Sequence, residues 1–251
     1  MRRVRSVRDG LARILHWMWS GREGARRLWL RRLAVVLFVP LVALPLTLTL
    51  VFRVLPPPIT PLQVRTWMRK GTIYKDWVPI ERMSPDLVRA IIGAEDDNFC
   101  SHHGFDWQAI GKAAVRNLRA RRVRGASTIS QQTAKNLFLL PHRTWLRKGL
   151  ETYLTVMIEA LWPKRRILEI YLNEAQFGPR IFGAEAAARI YFGKSAALLD
   201  EDEAALLAAV LPDPEHWRVV DPGPYVEDRA EMLLDRMEEV EHLGLDACIR
   251  R

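Results

Sequence analysis

The sequence predicts a mainly α-helical domain carried behind one N-terminal membrane-spanning helix. Three observations predict it. Residues 33–52 form a twenty-residue run without charge, capped helical stretches recur after it, and alternating strand patterns are scarce. With 251 residues, 49% of them hydrophobic, the chain can bury the core of one large domain or two small ones. That composition excludes a long disordered chain and a collagen-like one, and two cysteines exclude a multi-disulfide scaffold.

The formal charge of +9 raises the question of a polyanionic partner, and its location answers it. Residues 1–32 hold ten arginines against Asp9 and Glu23, a net of +8. Residues 53–251 hold 28 basic and 27 acidic side chains, a net of +1, which argues against nucleic acid. Between them, residues 33–52 (LAVVLFVPLVALPLTLTLVF) would span about 30 Å as a helix, the thickness of a bilayer core. Pro40 and Pro45 kink such a helix in lipid without ending it. No small-residue cleavage site follows, so an uncleaved signal anchor is expected. The arginine bias keeps residues 1–32 in the cytoplasm and exports the rest. Trp17, Trp19 and Trp29 among the arginines suit a membrane-surface segment.

After the span, residues 53–62 contain Pro56, Pro57, Pro58 and Pro61 and are expected to form a stiff linker, with the exported domain over 63–251. Leu62, Val64, Trp67 and Met68 either pack the domain or form an apolar surface toward lipid. Residues 71–79 are the best short strand candidate. Ser84 followed by Pro85 and Asp86 signals a helix start, with the helix running to about Asp96. Further helices are expected over 107–119, 128–138, 144–162, 164–172, 181–191, 201–210 and 224–243.

The chemistry begins where the helix after Ser84 ends. Leu87, Ile91 and Glu95 are four apart, so Glu95 projects from the apolar side of that helix. Partial desolvation there raises a carboxylate's pKa toward the range useful for proton transfer. A solvated glutamate at a fraying helix end is the bland alternative. His102 and His103 are adjacent, project in different directions and lack further ligands at metal-binding spacing.

A second segment, residues 125–136 (GASTISQQTAKN), puts Thr128, Gln131 or Gln132, and Lys135 on one helical stripe. Hydroxyl, amide and ammonium groups in a row suit a ligand that carries sugar hydroxyls and phosphate. Alone, the stripe could equally be an ordinary wet helix face. A third segment, Arg147, Lys148 and Glu151, adds two cations and a second glutamate one turn later. Before the second segment, the cationic run at 119–124 either attracts anionic lipid or diphosphate or is a solvated loop.

Together these segments resemble the glycosyltransferase domain of bacterial peptidoglycan synthases, the family shared with class A penicillin-binding proteins. E-D-x-x-F-x-x-H-x-G is present at Glu95, Asp96, Phe99, His102 and Gly104. G-x-S-T-I-[ST]-Q-Q-x-x-K-N runs from Gly125 to Asn136, and R-K-x-x-E from Arg147 to Glu151. K-x-x-I-L-E-x-Y-L-N runs from Lys164 to Asn173, and E-A-A-L-L-A-A-V-L-P-x-P from Glu203 to Pro214. The resemblance covers roughly residues 60–240. The S-x-x-K and K-T-G motifs of a transpeptidase domain do not occur, so it is to the monofunctional biosynthetic peptidoglycan transglycosylases.

The resemblance implies a lysozyme-like, two-lobed fold, with a head and a small jaw near the membrane. It implies polymerisation of lipid II into glycan strands, with inversion and release of undecaprenyl diphosphate. Glu95 matches the general base and Glu151 the second glutamate, which helps organise the diphosphate. A divalent cation (Mg or Mn) is allowed at Glu151 and none is required. Lys135, Arg147 and Lys148 are expected near the departing diphosphate, which needs charge neutralisation rather than a proton. Asp96, Phe99, His102, Gly104, Ser127, Thr128, Gln131, Gln132 and Asn136 are the expected substrate contacts. Expected partners are lipid II, the lipid-linked strand, the membrane and other cell-wall synthases. A lysozyme-like hydrolase could use a buried glutamate but would not need the three cations. Sequence spacing leaves the pairing of Cys100 with Cys248 open.

Overall fold

A computed structural model describes residues 27–29, 31–33, 35–36, 38–117, 126–141 and 144–250. Most of the basic N-terminal segment, the cationic run at 119–124 and Gly125 lie outside the described residues. The chain divides into two units, one ending at Leu48 and one running from Thr49.

In the N-terminal unit, Val39–Ala43 is a π-helical turn with proline in its first positions, and Leu44 N–H bonds back to Val39 O. Pro40 and Pro45 have no N–H to continue the α-helical ladder, so regular α-helical bonding is interrupted around this turn. The α-helix Leu44–Phe52 (α1) follows. Val35, Val36, Phe38, Leu41 and Leu44 are exposed. Among the described residues no helix is long and apolar enough to cross a membrane. Of the kinked helix expected over 33–52, residues 34 and 37 lie outside the described residues, and Pro40 falls in the π turn.

The second unit is mainly helical, as the sequence predicts. Helix α2 (Pro61–Lys70) starts with a capping box in which Thr60 and Gln63 satisfy each other's backbone N–H groups. Pro61 and Leu62, assigned to the linker from sequence, are thus the first turn of a helix. Proline there is a helix starter rather than a spacer. Strand β1 is short, Tyr74–Lys75. Helix α3 (Pro85–Glu95) starts at Ser84, whose side chain accepts from Asp86 N–H. Then come α4 (Trp107–Asn117), α5 (Ile129–Phe138), α6 (Trp145–Leu161) and α7 (Lys164–Glu174).

Strands β2 (Gln176–Gly178) and β3 (Ile181–Phe182) complete a three-stranded sheet in the order β1-β3-β2. In it β1 pairs parallel and β2 antiparallel to β3. Ile181 and Phe182, expected at the start of a helix, are therefore strand. Gly183 (φ 84°) makes the turn into α8 (Ala184–Phe192), and a Cβ there would meet Asn173 O at 2.8 Å. Helices α9 (Glu201–Ala209) and α10 (Pro224–His242) finish the fold.

The core lies where α3, α9 and α10 pack together and where α5 packs on α6 and α7. Leu87, Ile91, Ile129, Ile158, Leu168 and Phe177 are fully buried there. Ala204, Ala205, Ala208 and Ala209 are also fully buried, so small side chains let α9 approach its neighbours closely. Asn173 fixes the inner face of α7 to the chain before α3. Its amide donates to Val78 O at 2.9 Å and accepts from Val78 N at 3.0 Å. A disulfide joins Cys100 to Cys248 with a Cα–Cα distance of 5.5 Å, tying the loop after α3 to the C-terminal segment. Arg236 of α10 pairs with Asp97 on the same loop.

Candidate active site

Glu95 is the last residue of α3, and Gln132 of α5 faces it. Gln132 Nε2 donates to Glu95 Oε2 at 2.5 Å. Burial pushes the Glu95 pKa above the ordinary glutamate value, with Gln132, Arg229 and Lys135 pulling the other way and Asp96 adding to the rise. A carboxylate so placed can accept a proton without being a free surface acid.

Asp96 follows α3 as its C-cap and is tied from two sides. His102 Nε2 lies 2.9 and 3.0 Å from its two oxygens, and the N–H of Ile129 donates to it at 3.0 Å. Since His102 Nδ1 accepts from Gly104 N–H at 3.1 Å, the proton sits on Nε2 and points at Asp96. Phe99 is fully buried, edge-on to His102, with Lys164 Nζ 4.6 Å from its ring centroid. Gly104 (φ 89°) packs where a Cβ would meet Thr155 at 2.9 Å and Glu159 at 3.0 Å. This first segment thus anchors α3 to the N-terminus of α5, and holds Glu95 opposite Gln132.

The second segment divides between structure and cavity. Thr128 caps α5 in a reciprocal box with Gln131, and its hydroxyl donates to Gly104 O at 2.7 Å. Both side chains are buried in that role. The stripe expected from sequence therefore loses Thr128 and Gln131 to capping and keeps Gln132 and Lys135. One cavity of about 330 Å³ is lined by Ser127, Gln132, Lys135, Asn136, Arg147, Lys148 and Glu151, together with Leu62, Leu139 and Pro141.

In that cavity Glu151 is only 2% exposed. Arg147 Nη1 lies 2.6 Å from one of its oxygens, and Lys148 pairs with the other. Burial pulls the Lys135 pKa below the ordinary lysine value, with Glu151 and Glu95 opposing and Arg147 and Lys148 assisting. Lys135 thus stands electrostatically between the two glutamates. Arg147 Nε is buried without a hydrogen-bond partner, as is Nε of Arg229 on α10. Arg147, a cation with an unused donor in the wall of this cavity, suits an anionic ligand.

A second cavity, of about 390 Å³, lies on the other side of Ser127. Glu95, Asp97, Asn98, Asp106, Lys112 and Arg116 are among the residues that line it. Ser127 borders both cavities, and Glu95 reaches the first through Gln132. Of the expected site residues, Phe99, His102, Gly104 and Gln131 are internal supports, and Asp96 and Thr128 combine support with a place in this wall.

Sequence reasoning missed Arg229, Lys112 and Arg116. Arg229 comes from a helix 134 positions along the chain and belongs to none of the five motifs, so only folding brings it near Glu95. Lys112 and Arg116 were a four-residue repeat on a predicted helix, a signal that could have marked them. As for a divalent cation at Glu151, the donor set fits a resident metal poorly. Each oxygen is engaged by a cation, and among the described residues no group of three or more His, Cys, Asp or Glu could hold one.

The sequence pattern of the transglycosylase family matches residues 63–238. The biosynthetic peptidoglycan transglycosylase of Rhodospirillum centenum is 52% identical over 221 residues, covering 88% of this chain and 95% of that protein. Proteins of the same description from Caulobacter vibrioides and Pectobacterium carotovorum are 47% and 45% identical. They share 89% and 92% of this chain, and each is covered over 97% of its own length.

Proposed function

The chain belongs to the transglycosylase family, and from that premise we propose that it polymerises lipid II into linear glycan strands, releasing undecaprenyl diphosphate. It is a peptidoglycan glycosyltransferase of cell-wall synthesis, and its place is the cell envelope. The observation that carries the mechanism is the pairing of a desolvated Glu95 with Gln132, next to a cavity with three cations.

In this mechanism Glu95 takes the proton of the acceptor's 4-hydroxyl as that oxygen attacks the donor's anomeric carbon. The bond from that carbon to the diphosphate oxygen breaks, and a single displacement inverts the centre. The electron pair leaves with the diphosphate, whose charge is met by Lys135, Arg147 and Lys148. Glu151 holds the Arg147 and Lys148 side chains toward the cavity through its two oxygens. Ser127, Gln132 and Asn136 supply hydrogen bonds along the same wall. No metal is assigned a step.

The lysozyme-like, two-lobed description rests on family membership. Anchoring at the inner membrane rests on the uncharged run 33–52 behind ten arginines, and on the exposed apolar side chains described in the N-terminal unit. The test is incubation of the purified chain with lipid II and separation of the products by gel. Glycan polymer with released undecaprenyl diphosphate is expected. Degradation of finished sacculi without polymer would assign a hydrolase instead.

A further inference from the structure

A third cavity, of about 380 Å³, lies against α2 and shares Leu62 with the cavity of Lys135, Arg147 and Lys148. Arg65, Arg69 and Lys70 line it, opposite Gln176, Glu215 and His216. Its charges do not cancel. Glu215 is engaged by Lys70 and by Gln176, the latter at 2.7 Å. His216 faces Asp213 at 2.8 Å. Among the described residues neither Arg65 nor Arg69 has a carboxylate within ion-pair range, and the one hydrogen bond of Arg65 goes to Pro141 O at 3.4 Å. Two guanidinium groups one helical turn apart therefore open on the cavity with their charge uncompensated.

The same helix exposes Trp67 (57%) and Met68 (75%) between those two arginines in sequence. On the helix surface Met68 neighbours Arg65 at i, i+3, while Trp67 projects from the other side of α2. An exposed thioether beside a cationic cavity suits the boundary between headgroups and acyl chains, where apolar groups are sunk and cations meet phosphate. A phosphodiester flanked by apolar chains offers two free oxygens, one for each guanidinium, and the remaining positive charge suits an anionic surface around it. Substrate diphosphate is provided for separately, by Lys135, Arg147 and Lys148 across Leu62.

From this we infer that the Arg65–Arg69 cavity binds the phosphate of an anionic membrane phospholipid, seating α2 on the bilayer surface. The inference rests on the membrane-side reading of function and goes beyond it. It names a phospholipid site that does not handle substrate. Because Leu62 lines both cavities, a headgroup held there sets the height of the polymerisation cavity above the lipid.

The test uses the full chain reconstituted in phosphatidylcholine vesicles that contain a photoactivatable lipid, either phosphatidylglycerol or phosphatidylcholine, with labelled peptides mapped by mass spectrometry. Phosphatidylglycerol is expected to label residues 61–70 preferentially. The Arg65→Gln/Arg69→Gln double variant should lose that label by roughly tenfold, whereas Arg65→Lys/Arg69→Lys should keep most of it. Equal labelling by the two lipids would overturn the inference, as would labelling indifferent to the glutamine substitutions. Displacement by added undecaprenyl diphosphate would assign the cavity to substrate, and displacement by inorganic phosphate to a soluble anion; either would overturn it. Polymerisation of lipid II in detergent is measured in parallel. Loss of polymer by the wild type would count against the proposed function, while loss of label alone counts against the cavity.

Discussion

Gln132 Nε2 and Glu95 Oε2 meet at 2.5 Å between α5 and α3, and this contact joins the two segments that sequence reading had treated separately. The amide favours the charged carboxylate, while burial disfavours it. Activity needs Glu95 deprotonated, so the acid limb of kcat/KM reports this balance. Gln132→Ala removes a pull toward the charged form, so the limb should move to higher pH. An unchanged limb in a pH–rate profile would separate Gln132 from the base.

Glu95→Gln keeps shape and removes the proton acceptor. Polymerisation should fall by about 10²–10⁴-fold, the usual worth of a positioned acid or base. Stability should move the opposite way. The folded state raises the Glu95 pKa, so it binds that proton more tightly than the unfolded chain. Folding is therefore penalised progressively as pH rises from the ordinary glutamate value, about 4.3, through the raised one. At neutral pH, Glu95→Gln should melt at or a few degrees above the wild type. Melting curves at acid and neutral pH check this, and the difference between the two proteins should shrink at acid pH.

Arg229 acts on Glu95 from α10, outside every recognised motif, and its Nε is buried without a partner. Arg229→Gln removes a cation that favours the carboxylate, so it too should shift the acid limb upward, whereas Arg229→Lys should restore much of the position. A loss of activity at every pH with no shift would mean that Arg229 serves substrate rather than the base.

These residues show what the sequence made legible. Helix starts at Ser84, Thr128 and Thr144 were visible because a cap and its helical run are local. Glu95 was visible because i, i+4 spacing put it on an apolar face. The start of α2 was obscured by prolines that read as linker, although Thr60 and Gln63 form a capping box there. The fates of Thr128 and Gln131 were also hidden. A stripe on a helical wheel does not say which hydroxyl will turn back to cap the backbone. Arg229 and the disulfide depend on contacts more than 130 residues apart in the chain, which no local pattern encodes.

Asn173 lies in a motif that reads as part of the catalytic signature, yet it is fully buried and bonds Val78 through both amide atoms. Its contribution is to the fold. Asn173→Ala leaves a buried N–H and C=O unpaired and should cost about 2–3 kcal/mol of stability. Denaturant melts should show that loss, with kcat near normal at temperatures where the variant remains folded.

The disulfide between Cys100 and Cys248 closes a span of 148 residues and fixes the loop five residues beyond Glu95. Cross-links of long loops act mainly by limiting the unfolded chain. Reduction, or the double substitution Cys100→Ser/Cys248→Ser, should therefore lower stability by about 2–4 kcal/mol. The folded loop retains other ties: Arg236 to Asp97, and His102 with Ile129 N–H to Asp96. Polymerisation well below the melting temperature should thus survive reduction, while thermal inactivation comes earlier. A collapse of activity at low temperature, with the melting curve unchanged, would show instead that the bond positions Glu95 directly.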